Sequence, residues 1–196
     1  KCIDYAYRNG RTDSIDEKIV VKIIFPLGTY LVSKTLAFNK ELCSLTLDIA
    51  NATIKYVGDS FAFLFKYLRN SHLNLGNIIA ENGSGVHFLA EGERSEDCMM
   101  YVHVTWNCIK CKETGILGEC SNPYPTVSSS TLWPWLNAMY FYGGRFENAK
   151  IGIHAKAENA GNVKYWVFYG VSSETSEVGF KLENTTKDIY SLGSFS

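Results

Sequence analysis

From residue 19 onward the chain is a series of short apolar runs separated by turn residues. They cover 19–25, 29–32, 45–49, 52–57, 61–65, 73–75, 86–89, 100–106, 138–142, 151–155, 163–171, 178–182 and 189–192. Many alternate apolar with polar positions, the two-residue period of a strand with one buried face. Gly58-Asp59, Asn82-Gly83, Gly143-Gly144 and Gly161-Asn162 punctuate them as turns. Residues 1–18 lack this texture and read as an N-terminal capping segment; residues 19–196 read as one domain. An insertion is expected at about 119–135, where Asn122-Pro123-Tyr124-Pro125, a serine run and Trp133-Pro134-Trp135 interrupt the pattern.

The last third repeats loosely. Gly143-Gly144, Tyr169-Gly170 and Leu192-Gly193 recur about 27 and 23 residues apart, with short strands between. A period of about 20–27 residues with three short strands per unit predicts an all-β solenoid, in which each coil buries its inner face only by stacking on its neighbours. Composition agrees. Aromatic residues make up 14% of the 196, and glutamine is absent. β-Propensity is therefore high and long helical patterns are missing. With 19 basic and 20 acidic residues, no basic stripe points to nucleic acid. No run of eighteen apolar residues predicts a membrane span. The chain opens on Lys1, which reads as a piece of a longer or processed protein.

Specific phrases then carry a resemblance. Ile23-Ile24-Phe25-Pro26-Leu27-Gly28-Thr29-Tyr30-Leu31-Val32, followed by Thr35-Leu36, resembles the phrase that opens the pectate-lyase-like right-handed parallel β-helices. Asn9-Gly10-Arg11-Thr12-Asp13-Ser14 looks like a degraded form of the motif that precedes it. Asn148-Ala149-Lys150-Ile151-Gly152-Ile153 and Gly179-Phe180-Lys181-Leu182-Glu183-Asn184 look like asparagine-rich coils of phage tailspike and tail-fibre proteins. The resemblance implies a right-handed parallel β-helix, a virion or extracellular setting, a homotrimer, and bacterial surface polysaccharide as partner. It also leaves open a polysaccharide lyase or glycoside hydrolase, or an inert spacer, because one fold hosts many functions. The catalytic phrases of pectin-degrading members, among them Asn-Thr-Asp and Gly-His-Gly, do not occur, and no Asp-Asp pair exists.

Candidate chemistry is sparse. Glycosidases work with paired carboxylates, for which Glu113, Glu147 and Glu174 are the candidates, with Asp97, Glu158 and Glu177 behind them. Parity places His72, His87, His103 and His154 on the outer surface, either solvated or serving as a general base or a pH-sensitive interface. In 163–171 the odd positions form one face, so Trp166 and Phe168 are expected to project outward beside Lys164. Together with Trp133, Trp135, Tyr140, Tyr142, Arg145 and Glu147 they form the expected contact surface, for polysaccharide or for another subunit. The lone Cys108-x-x-Cys111 pair has no matching second pair, so structural zinc is not expected. Calcium is not expected either, since aspartate clusters are missing, and no cofactor is expected. The cysteines read as buried thiols or as a disulfide such as Cys111 to Cys120.

Overall fold

A computed structural model describes residues 21–39, 44–91, 98–121, 134–158 and 161–184. Its strands come in triplets. The first holds β1 (Val21–Ile24), β2 (Gly28–Val32) and β3 (Leu36–Phe38); the second β4 (Leu45–Asp48), β5 (Ala52–Tyr56) and β6 (Phe61–Lys66). The third holds β7 (Arg69–Asn74), β8 (Asn77–Ala80) and β9 (Ser84–Glu91); the fourth β10 (Met99–Thr105), β11 (Cys108–Cys111) and β12 (Thr114–Ser121). The fifth holds β13 (Trp135–Tyr142), β14 (Arg145–Glu147) and β15 (Ile151–Glu158); the sixth β16 (Asn162–Tyr169), β17 (Ser172–Glu174) and β18 (Val178–Asn184).

The first strand of every triplet pairs with the first strand of the next, and so on, always in parallel. Three six-stranded sheets result: A (β1-β4-β7-β10-β13-β16), B (β2-β5-β8-β11-β14-β17) and C (β3-β6-β9-β12-β15-β18). This is a parallel β-solenoid of about five turns, all-β as the alternating pattern predicts.

The turns are unequal. Register sets Thr53 opposite Asn77, Asn77 opposite Cys108 and Cys108 opposite Arg145, so successive turns measure 24, 31 and 37 residues. The extra length enters at one corner. Connections from sheet A to B and from B to C are two to four residues long, whereas those from C to A include 39–44, 92–98 and 122–134. The short corners are tightly built: Gly76 adopts φ +50°, and a Cβ there would lie 2.1 Å from the Ile49 carbonyl oxygen. β12 continues through Ser121 and β13 starts at Trp135, which confines the long insertion to 122–134. The capping segment 1–18, Trp133, Asp97, Cys2, Cys43 and the apolar run 189–192 lie outside the described residues.

Inward-facing rows run the length of the solenoid. One row in sheet C is Leu36, Phe63, Val86, Ile116, Ile153 and Phe180. Its neighbour is Phe38, Phe65, Phe88, Gly118, Ala155 and Leu182. Phe38, Phe65 and Phe88 stack with centroids 5.0 and 5.4 Å apart. Ile153 and Ala155 are buried as expected. Phe180 and Leu182 continue these two rows but stay exposed at the end of the described turns, where a cavity of about 300 Å³ opens between Phe146, Phe168 and Phe180. Val178, also exposed, pairs with the half-buried Ile151 outside both rows, so Ile151 and Val178 depart from the expected inward sets.

Trp166 and Phe168 overturn an expectation. Trp166 is fully buried, with its indole nitrogen donating to the Leu136 carbonyl oxygen at 3.3 Å. Phe168 packs against the core and stacks on Phe141 at 5.0 Å. The cause is Tyr165, whose φ of +53° places one residue in the left-handed region and restarts the alternation out of phase. Val163 therefore faces inward, and so do Trp166 and Phe168, while Tyr165 and Tyr169 face out. Gly118 and Ala155 leave the space that the indole fills.

Candidate functional site: the outer face of sheet A

The left-handed residue in β16 recurs in register. Sheet A pairs Met100 with Asn137 and Val102 with Met139, and Asn137 with Lys164 and Met139 with Trp166. Tyr101, Ala138 and Tyr165 thus occupy one row, with φ of +55°, +50° and +53°. Asn70 (φ +46°) precedes Tyr101 in the same row, between Arg69 opposite Met100 and Ser71 opposite Val102. A left-handed conformation costs a non-glycine residue about 1–2 kcal/mol. Its repetition through four turns marks a built-in bulge that re-aims side chains, and bulges of this kind gather beside working surfaces.

Two of its four positions, Tyr101 and Tyr165, carry aromatic side chains. Tyr101 is 51% exposed, Tyr165 57%, and Tyr169 74%; Tyr142 and Trp135 are 39% and 41% exposed. All belong to sheet A. Two outward rows cross the face beyond the bulge. The first is Lys22, Thr46, His72, His103, Tyr140 and Val167. In it the His72 ring stacks on His103 at 4.8 Å and 15°, and His103 on Tyr140 at 4.7 Å and 13°. The second is Asp48, Asn74, Thr105, Tyr142 and Tyr169. Its polar part is internally bonded: Thr105 Oγ1 donates to Asn74 Oδ1 at 2.9 Å, and the Ala50 amide donates to Asp48 Oδ1 at 3.2 Å. Neighbouring strands lie about 4.8 Å apart, so rings and amides repeat at that interval across a nearly flat surface.

The other faces are different in kind. Sheet C carries a ladder of ion pairs. Glu119 accepts from His87 and from Lys156, each at 3.1 Å; Lys156 also reaches Glu158 at 2.6 Å, and His154 meets Glu183 at 3.1 Å. Hydrogen bonding from His87, reinforced by Lys156, pulls the Glu119 carboxyl down to about 2 against its partial burial. Burial and the nearby Lys181 lower His154 despite the Glu183 carboxylate. Charge is satisfied within this face, which leaves little for a ligand.

Sheet B holds the carboxylate candidates. Register sets Glu147 opposite Glu174, two outward acids on adjacent strands. Glu113 sits apart at the corner between β11 and β12, 3.8 Å from Lys150. Arg145 Nε donates to Glu147 Oε1 at 2.7 Å and holds that carboxyl below its ordinary value. A glycosidase acid needs the opposite shift, upward, to keep its proton at working pH. Arg145 and Glu147 are thus engaged with each other around the corner from the aromatic face.

Cys98, Cys111 and Cys120 are buried. Cys111 and Cys120 remain thiols, so no disulfide joins them. Burial pushes Cys111 up to about 12 and raises Cys120 too, which keeps both protonated and poor metal ligands. Among the described residues, no group of three His, Cys, Asp or Glu side chains is placed to hold a metal ion. Nor is any helix among them long and apolar enough to cross a membrane.

Of the expected contact surface, Trp135, Tyr140 and Tyr142 lie on the sheet A face. Arg145 and Glu147 lie on sheet B, and Trp166 and Phe168 lie in the core. Tyr101, Tyr165 and Tyr169 join the face although the sequence reading does not place them there, and His72 and His103, expected on the outer surface, join it as a stacked pair. Aligning coils row by row, rather than reading each strand's parity alone, is the signal that finds them.

Comparison with known protein families, with curated proteins and with solved structures found no match for this chain.

Proposed function

We propose that the outer face of sheet A is a polysaccharide-binding platform, in a β-helix domain of the tailspike or tail-fibre type that acts on bacterial surface glycan as a homotrimer. The observation that carries the reading is the row of left-handed residues that turns Tyr101 and Tyr165 out beside Trp135, Tyr142 and Tyr169. A sugar ring stacks its apolar face on an aromatic ring while amides and hydroxyls bond its edge. This face supplies both, with Asn70, Asn74 and Thr105 interleaved among the rings.

Binding is favoured over hydrolysis because the register-matched acids Glu147 and Glu174 lie on sheet B, around the corner from the aromatic face, and Glu147 is taken up by Arg145. A glycan array of bacterial capsular and lipopolysaccharide chains, with light scattering for oligomeric state and a reducing-end assay on each hit, tests the reading. Binding without chain cleavage supports it. Release of reducing ends would make the domain an enzyme, and an array with no hit would remove the platform.

A further inference from the structure

The outward histidines fall into two kinds. His87 and His154, on sheet C, each face a glutamate at 3.1 Å. His72 and His103, on sheet A, face each other and Tyr140 in a parallel stack. Neither has a carboxylate within ion-pair reach among the described residues. The cations of the face are Lys22, Arg69 and Lys164, and its acid is Asp48, already bonded to the Ala50 amide and Asn74. The phenol rings of Tyr140 and Tyr142 flank His103 at 4.7 and 6.0 Å.

Among the described residues, a proton taken up by either imidazole therefore meets no compensating carboxylate, and a second proton meets the first across 4.8 Å. The two rings differ in freedom. His72 is exposed at the open side of the stack, whereas His103 is sandwiched between His72 and Tyr140. A charged His72 can turn into water; His103 can leave only by dismantling the row.

Resting on the platform reading, we propose that the His72–His103–Tyr140 stack is a pH-sensitive element of that surface. In neutral solution the rings lie flat and complete the platform, and acidification turns His72 out and breaks the row. Burial, and His72 beside it, lower the tendency of His103 to take a proton, which suits a ring kept neutral by the stack. The device matches the role of histidine as the side chain that changes charge between pH 5 and 8.

Two measurements on the whole chain separate this inference from the reading beneath it. The first needs no ligand: near-UV circular dichroism of the tyrosines and the histidine ring-proton shifts, followed from pH 7.5 to 5. The expected result is a tyrosine signal that changes between pH 7.5 and 5 in the wild type and is flat in His72→Phe and His103→Phe. A flat wild-type signal overturns the proposal. The second is affinity electrophoresis in gels containing dextran, galactomannan or xylan at both pH values. Retardation about fivefold weaker at pH 5, with that ratio falling to about 1 in His72→Phe, supports it. Equal retardation at both pH values overturns it. A tyrosine transition without retardation by any polysaccharide upholds the pH-sensitive stack and counts against the platform.

Discussion

The indole of Trp166 lies directly on the backbone of Gly118: a Cβ built on that glycine would stand 2.1 Å from Trp166 Cη2. The two residues face each other across the solenoid interior, Trp166 from β16 and Gly118 from β12. Gly118 occupies a row in which Phe38, Phe65 and Phe88 precede it, so the missing side chain is the space the indole requires. Adding one methyl there overpacks a closed core, and Gly118→Ala is expected to cost about 1–3 kcal/mol. Trp166→Ala empties the site and is expected to cost about 3–5 kcal/mol. Urea unfolding of both variants checks this. A Trp166→Ala protein of wild-type stability would contradict the core assignment.

The exposed tyrosines should behave in the opposite way. Tyr165→Ala and Tyr169→Ala remove rings that water already reaches, so unfolding midpoints are expected to stay within about 0.5 kcal/mol of wild type. Binding of any glycan found on the array is expected to weaken by about 1–3 kcal/mol, the scale of an anchoring aromatic. Isothermal titration beside thermal unfolding separates the two effects. Loss of stability without loss of binding would place these rings in the fold, not in the site.

The bulge row gives a backbone test. An exposed position normally accepts isoleucine at little cost, but at Tyr165 the φ of +53° puts a β-branched residue in a region it strongly avoids. Tyr165→Ile is expected to be about 1–2 kcal/mol less stable than Tyr165→Asn, since asparagine tolerates the left-handed region. Equal stabilities, measured by denaturant titration, would mean the bulge is not held in the folded protein.

Glu119 predicts the acid limb of stability. Its carboxyl is lowered in the folded protein, to about 2, and returns to an ordinary value on unfolding. Its contribution is therefore present above about pH 4.5 and is lost as the pH falls toward 2. Glu119→Gln is expected to reduce stability by about 1–2 kcal/mol at pH 7, allowing for partial solvent screening, and by less at pH 2.5. Unfolding curves at both values test it; the same loss at both would assign the effect to packing.

Much of the architecture was legible along the chain. Phe63 and Phe65, or Val102, Val104 and Trp106, alternate plainly because one strand face packs and the other does not. The parity of the four histidines is correct for the same reason: no left-handed residue falls between each histidine and the apolar neighbours that set its phase. Sheet B was harder to read. β8, β11, β14 and β17 hold three or four residues each, too few for a period to show, and β12 hides because Gly118 stands at an inner position where β3, β6 and β9 carry phenylalanine.

Local order, turn chemistry and the two-residue period were enough to determine a stack of short strands with one face buried, because each depends on neighbours a few residues away. Which way Trp166 points was decided only by the tertiary structure. A single left-handed residue at Tyr165 costs little locally and leaves no mark in composition, yet it exchanges the two faces of everything after it in the strand. The room that receives the indole lies 48 positions before Trp166, at Gly118. The aromatic face arose the same way. Tyr101, Tyr142, Tyr165 and Tyr169 are scattered in sequence and become one surface because parallel register sets each turn about 4.8 Å from the last.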